Sequence, residues 1–188
     1  MKNKIILFLL VLFLTISCYE IYKIFTIKKV ENIEIEKIEE LKISDEKLKE
    51  NKQTQEELIL TKPYLGYIEI EKLGIKKLIS YGTTDDVLNK NVVGLHKASI
   101  LLDDPYGNII LAGHNNKYVF ANLLKIKIND EIKITSYIKT YTFKVFKIDI
   151  VELDNYDYFK SYDDSKILTL ITCYSKNKRF IVLGKVIN

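Results

Sequence analysis

The sequence predicts a mostly β fold, a closed or nearly closed β-barrel that follows an N-terminal membrane helix. Beyond Pro63 the chain consists of short runs rich in β-branched and aromatic residues, separated by Gly, Asn and Asp. Patterns typical of long helices are scarce in this part of the chain. Short strands without alternating helices favour a barrel over a sheet built from βαβ units.

Six segments have the character of strands. LGYIEIE (65–71) alternates apolar and polar residues, whereas GNIILAGH (107–114) is almost continuously apolar, as expected of a buried strand. The segment YVFANLLKI (118–126) is the best candidate for one or two helical turns. The predicted strands are 65–71, 107–114, 131–135, 140–150, 166–173 and 179–187.

The first apolar run predicts an uncleaved membrane anchor over residues 1–23. A helix over residues 5–22 would be about 27 Å long, close to the thickness of a bilayer core. Because its uncharged part is short, a secretory signal peptide is the alternative. The residues before Cys18 also have a faint likeness to a lipoprotein cleavage box. The charges that flank the run do not fix its orientation.

The next stretch, residues 24–62, is predicted to be a charged helical stalk or linker that carries a barrel domain over residues 63–188. It contains no Gly or Pro. A dimerising coiled coil is an alternative, but sustained heptads are absent. Apolar residues recur at roughly helical intervals between its glutamates and lysines, at Val30, Ile33, Ile38, Leu41 and Leu48.

The charge and composition exclude several classes of function. A net charge of +4, evenly spread, is too mild to indicate nucleic-acid binding. Glycine-rich phosphate loops are absent, so no nucleotide cofactor is expected. The two histidines and the cysteine of the body lack the spacing of metal ligands. Asp103 and Asp104 are adjacent, which is more typical of a turn than of a calcium site, so no metal is assigned.

Scarce residue types mark a candidate site. Cys173 ends an apolar strand and precedes a polar loop, and Cys18 lies in the apolar run, so the body holds no disulfide partner for it. Cys173 is therefore either a buried small hydrophobe or a reactive thiol at a rim. His114 ends a strand in the same manner. His96 follows a glycine in a loop-like stretch and is expected to be surface-exposed.

Arg179 is the single arginine among 29 basic residues. Lysine fills the ordinary surface positions, so a site that holds arginine indicates a need for its planar, permanently charged fork of donors. A short loop separates Cys173 from Arg179, which predicts antiparallel neighbouring strands with the two residues opposite each other. A thiolate, an imidazole and a guanidinium at one rim could form an acyl-transfer centre.

These motifs resemble those of the sortase family. LTLITC (168–173) and KRFIV (178–182) are similar to the TLxTC segment and the following arginine strand of sortases. GNIILAGH resembles their histidine strand, 118–134 their F-x-x-L stretch, and 65–80 their opening strands. The resemblance covers about residues 64–188. It implies the eight-stranded sortase β-barrel, held outside the cell by the N-terminal helix.

The resemblance also implies roles for the site residues. Cys173 would attack the threonine carbonyl of an LPxTG-like sorting signal on a secreted protein, and an amine of a cell-wall precursor would resolve the thioacyl intermediate. His114 would act as acid and base, and Arg179 would bind the substrate and its oxyanion. Thr172 and Asn115 are expected to contact the substrate, although many relatives have Arg or Thr where this chain has Asn115.

No second apolar segment follows the barrel, and the helical insertions typical of class B sortases are missing. Classes A and D therefore fit, and the sequence does not separate them. Two alternatives to a transpeptidase stay open. One is an extracytoplasmic cysteine protease with water as acceptor. The other is a non-catalytic surface lipoprotein or binding barrel in which Cys173 is buried.

Overall fold

The N-terminal part of the computed structural model is one helix, α1, over Lys2–Leu41. The structure describes residues 2–42 and 61–188. Helix α1 is long and apolar enough to cross a membrane by length and composition. It includes the predicted anchor and the first part of the predicted stalk. The rest of that stalk, including Leu48, lies outside the described residues.

The body is a closed barrel of eight strands, as the sequence predicts. Their order around the barrel is β1-β2-β3-β4-β7-β8-β6-β5. The strands are β1 (Gly66–Ile70), β2 (Ile75–Tyr81), β3 (Val93–Leu95), β4 (Gly107–Ala112), β5 (Glu131–Ser136), β6 (Thr140–Glu152), β7 (Lys166–Cys173) and β8 (Lys178–Val186).

Three local features differ from the expected pattern. The stretch around His96 was expected to be a loop, but it begins with the short strand β3, which pairs with both β2 and β4. A short helix, α2 (Asp85–Leu88), precedes it. The helical turn expected at 118–126 is a 3-10 helix over Ala121–Lys125, because its amides bond to carbonyls three residues earlier.

Side chains alternate between the barrel interior and its outer face. In β7, Leu168 and Leu170 belong to the main core, whereas Ile167 and Ile171 belong to a second apolar cluster. Tyr158, from the connection between β6 and β7, packs against that second cluster. Because a strand presents alternate residues to opposite faces, this second cluster covers the outer face of the barrel.

Strands β4 and β7 run parallel, with Ala112 opposite Ile171. The residues that follow the two strands therefore emerge at the same edge of the barrel. Gly113 begins the segment after β4, and a Cβ atom there would lie 2.7 Å from Cδ2 of the buried Phe120. Only glycine allows the backbone to pass so close to this ring.

A buried charged cluster lies at the opposite end of β7 from Cys173. The Lys166 side chain is only 2% exposed. Its Nζ donates to the carbonyl of Leu102 at 2.6 Å and lies 3.3 Å from the centroid of the Tyr141 ring. Burial lowers the pKa of Lys166 to about 8, although the nearby Asp103 acts in the opposite direction. Burial, and then Asp103, raise the pKa of Tyr141 to about 12.

This cluster predicts how stability depends on pH. Between about pH 8 and the ordinary lysine pKa of 10.5, the unfolded chain binds more protons at Lys166 than the folded protein does. The free energy of unfolding therefore rises with pH in this window, whereas below pH 8 both states are protonated there. We expect the melting temperature to rise from about pH 7.5 to 9.5 in the native chain relative to Lys166→Met. Above about pH 10 the raised pKa of Tyr141 acts with the opposite sign. Parallel curves for the two proteins would contradict the prediction.

Candidate active site

Cys173 and Arg179 lie directly opposite each other on the antiparallel strands β7 and β8. Side chains in such a pair have Cβ atoms about 5 Å apart and share one face of the sheet. Cys173 follows the outward alternation of Ile171, and Arg179 follows that of Ile181. The predicted antiparallel pairing of these strands is confirmed, and the two side chains share the outer face at one edge of the barrel.

His114 reaches the same edge from β4. The amide of Gly113 donates to the carbonyl of Ile171 at 3.1 Å, so the parallel alignment of β4 and β7 continues beyond the last paired residues. His114 is therefore level with Cys173 along the strands. It also follows the outward alternation of β4, in which Ile109 and Leu111 point into the core. His114, Cys173 and Arg179 thus form one row across three adjacent strand ends.

The thiol of Cys173 is free and exposed to solvent. The alternative in which this cysteine is a buried small hydrophobe is therefore wrong. Arg179 is half-buried, and its Nη1 donates to the carbonyl of Lys178 at 3.3 Å. Cys173 is therefore an accessible thiol, and the facing position on β8 holds a permanent cation.

The side chain of Thr172 links the ends of β7 and β4 from inside the barrel. Its side chain points into the barrel, is only 2% exposed, and donates from Oγ1 to the carbonyl of Gly113 at 2.8 Å. The hydroxyl therefore links the residue before Cys173 to the residue before His114. Thr172 fixes the spacing of the two groups, and a direct contact with substrate stays a prediction.

Asn115 supplies a second link between the same segments. Its Nδ2 donates to the carbonyl of Cys173 at 2.7 Å. The predicted contact of Asn115 with substrate stays a prediction. In the structure, this bond from its amide stabilises the fold. Together with the bond from Thr172, it links the histidine segment to the cysteine segment at two points.

Asn89, at the end of α2, contacts the imidazole. The distance from His114 Nε2 to Asn89 Oδ1 is 3.3 Å. An amide oxygen can only accept, so the histidine donates from Nε2 in this contact. Sequence reasoning missed Asn89, because DDVLNKN contains no motif and the contact joins residues 25 positions apart.

His96 does not join the row, and the expectation that it is surface-exposed is wrong. Its backbone amide extends the pairing of β3 by donating to Ile110 at 2.9 Å. Its ring is half-buried and meets Phe159 edge-on, with 4.8 Å between centroids. The backbone amide of Ala98 donates to Nδ1 at 3.1 Å. Burial, and then the charge of Lys97, lower the pKa of His96, so the ring is neutral near pH 7.

Within residues 2–42 and 61–188, no group of three or more His, Cys, Asp or Glu side chains is placed to hold a metal ion. The adjacent aspartates take part in the fold. Asp104 Oδ2 accepts from the amide of Leu101 at 2.8 Å and closes a turn, and Asp103 Oδ1 accepts from Ser136 Oγ at 2.7 Å.

Comparison with known proteins identifies the family of the chain. The model of the sortase domain matches residues 68–187 of the chain. Sortase D of Bacillus subtilis (strain 168) is 30% identical over 126 residues, which is 64% of this chain and 62% of that protein. The chain thus covers somewhat less than two thirds of this curated relative.

Solved structures give the same result. A sortase D5 transpeptidase of Clostridium perfringens has a TM-score of 0.69 and 28% identity, and the match covers 85% of this chain and 99% of the other. Sortase C of Clostridium perfringens SM101 has a TM-score of 0.68 and 26% identity, with the same coverage. A closed eight-stranded barrel and a matching family model define the chain as a member of the sortase family.

Proposed function

We propose that this sortase is a cysteine transpeptidase. The observation that carries the proposal is the row of His114, Cys173 and Arg179 on the outer face of three adjacent strand ends. A nucleophile, a proton carrier and a fork of fixed donors at one exposed edge are the parts that acyl transfer from an amide requires. No metal or organic cofactor is needed for this chemistry.

In the first half-reaction the Cys173 thiolate attacks the carbonyl carbon of the scissile amide. The C–S bond forms as the carbonyl π electrons move to oxygen, and Arg179 donates hydrogen bonds to this oxyanion. The oxyanion then re-forms the carbonyl and the C–N bond breaks. The departing nitrogen takes a proton from His114, and a thioester remains on Cys173.

In the second half-reaction an amine attacks the thioester carbonyl. His114, now neutral, accepts the proton that the amine loses as the C–N bond forms. The C–S bond then breaks, and Cys173 leaves as a thiolate. The contact with Asn89 holds the imidazole in one orientation, so the same ring nitrogen takes part in both proton transfers.

We propose an LPxTG-like sorting signal on secreted proteins as the donor, cleaved between Thr and Gly, and an amine of a cell-wall precursor as the acceptor. Helix α1 supports attachment to the membrane, because it is apolar enough to span one. In this proposal the chain is a single-pass protein of the cell membrane, and the barrel lies on the extracytoplasmic side, where such substrates are found.

The role of His114 predicts a loss confined to the chemical steps. We expect His114→Ala to lower kcat by about 100-fold or more, since general acid–base catalysis contributes about 10²–10⁴-fold. The matched variant is His96→Ala, whose ring contacts Phe159 and not the row, so any change there should be in KM. Steady-state kinetics on a quenched sorting-signal peptide measures both constants. An equal fall of kcat in the two variants would contradict the role.

The function itself is tested with the full chain in detergent micelles and a library of quenched sorting-signal peptides. Each peptide is incubated with and without an added amine, and the products are identified by mass spectrometry. We expect the amine to raise the yield and to appear in the product. Cleavage with water as the sole acceptor would indicate a protease, and no cleavage would reject both activities.

A further inference from the structure

Asn108 is a buried polar side chain outside the row of candidate catalytic groups. It lies on β4 and is only 3% exposed. Its Oδ1 accepts from Thr169 Oγ1 of β7 at 2.8 Å. Its Nδ2 donates to two backbone carbonyls, those of Tyr158 at 2.9 Å and Lys160 at 3.1 Å. Both the oxygen and the nitrogen of the Asn108 amide are therefore hydrogen-bonded, and the hydroxyl of Thr169 fixes the orientation of the amide.

The carbonyls bound by Asn108 belong to the β6–β7 loop, residues 153–165. This loop contains a 3-10 helix over Asp157–Phe159 and crosses the outer face of the barrel. Tyr158 and Tyr162 pack against the second apolar cluster, which includes Ile171. Ile171 lies on the same face as Cys173 and precedes it by two residues, which is about 7 Å along β7. The loop therefore borders the surface next to the thiol.

The loop is also held on its other sides. The hydroxyl of Tyr158 donates to Asp149 on β6, and Lys147 lies 3.4 Å from the same carboxylate. The Phe159 ring meets His96 beside β3. These contacts are made by exposed or half-buried side chains, whereas the fork comes from a side chain that is itself buried. Breaking the fork leaves the buried amide of Asn108 without its partners, which makes it a costly contact to lose.

The row of candidate catalytic groups and the β6–β7 loop lie on the same outer face of the barrel, so a peptide bound to Cys173 on this face would lie beside the loop. We infer that Asn108 is a positioning residue for substrate binding: by holding the carbonyls of Tyr158 and Lys160, it keeps the β6–β7 loop in place as a preformed wall beside the thiol. This inference rests on the proposed function only in that the substrate is a peptide. When the loop already has its binding conformation in the free protein, the affinity for the peptide is not reduced by the cost of populating a rare conformation.

The test uses the full chain in detergent micelles with the double variant Asn108→Leu/Thr169→Val. The double variant removes the fork and its support together and puts apolar side chains of similar size in their place, so the space that they occupy stays filled. A melting curve checks the fold. The matched control is Asn122→Ala, since Asn122 Nδ2 donates to a carbonyl, that of Leu73 at 3.2 Å, on a different part of the barrel.

Two readouts avoid dependence on turnover. Amide hydrogen exchange over residues 156–162 reports whether the loop is held. Inactivation of Cys173 by a peptidyl chloromethyl ketone that carries a sorting-signal sequence gives a binding constant and a maximal rate, and iodoacetamide reports the thiol alone. We expect faster exchange and a binding constant weakened about tenfold. The maximal rate and the iodoacetamide rate should stay within about twofold of the native chain, and the control should match the native chain throughout.

The outcomes separate this inference from the proposed function. If amide hydrogen exchange in the loop is unchanged in the double variant, the hydrogen bonds of Asn108 do not hold the loop and the inference is wrong. Faster exchange with an unchanged binding constant would overturn the loop as a wall for the peptide. If the native chain binds the peptidyl reagent but transfers no acyl group to an amine, transpeptidation fails while the role of Asn108 is still decided by the binding constants.

Discussion

Replacing Cys173 with alanine is expected to abolish both transpeptidation and peptide cleavage. The thioacyl intermediate requires a C–S bond, and no other side chain in the row can form one. The expected fall in kcat is at least about four orders of magnitude, the scale observed when a catalytic nucleophile is removed. Because the thiol is exposed at the end of β7, the melting temperature should change by no more than about 2 °C.

The chain supplies a matched control for this prediction. Cys18 lies in α1, so Cys18→Ala removes a thiol and leaves the sequence of the barrel unchanged. That variant should keep the activity of the native chain. Mass spectrometry of the native chain with a poor acceptor should find the acyl group on Cys173. Residual turnover in Cys173→Ala above about 1% of the native value would reject the thiol as nucleophile.

Arg179→Lys is expected to produce the second largest loss, about 100-fold to 1000-fold in kcat, the scale of removing one oxyanion donor. Lysine keeps the charge but lacks the planar fork, so it cannot present several donors in fixed directions. The expected effect is on the chemical step, because the oxyanion exists only there. Single-turnover measurement of acylation of Cys173 separates this step from product release.

A swap of neighbours provides the control for this substitution. Arg179→Lys/Lys178→Arg restores the composition of the hairpin at unchanged net charge, but the guanidinium then projects from the opposite face of β8. The double variant should therefore be as impaired as the single one. Recovery of activity in the swap would show that the guanidinium need not project from position 179, and near-native activity in Arg179→Lys would show that a positive charge there is sufficient.

The parts of the site that the sequence reveals are those linked by short stretches of chain. Strands β7 and β8 are largely apolar runs joined by a short polar stretch, residues 174–177, so the pairing of Cys173 with Arg179 follows from local pattern. The alignment of His114 with Cys173 does not follow from a local pattern. It depends on the parallel pairing of β4 with β7, across a stretch that contains two further strands, and only the resemblance to sortases indicated it.

Other features carry no local signal. Strand β3 has three residues, too few for an alternating pattern to be visible, and this is why His96 was expected to be exposed. Asn108 and Thr169 sit in strands whose pattern is otherwise apolar, and nothing in the sequence reports that their side chains bond to each other. Long-range polar contacts of this kind become visible only when the barrel is closed.

The bond from Thr172 to the carbonyl of Gly113 spans 59 positions of the chain. The histidine and cysteine segments therefore have no local means of finding each other, and a nascent or truncated polypeptide that ends before β7 holds an isolated imidazole and no body thiol. An unfolded copy holds both, but far apart. In the proposed mechanism, the site is complete only when the tertiary structure is complete, so an incomplete chain is expected to transfer no acyl group.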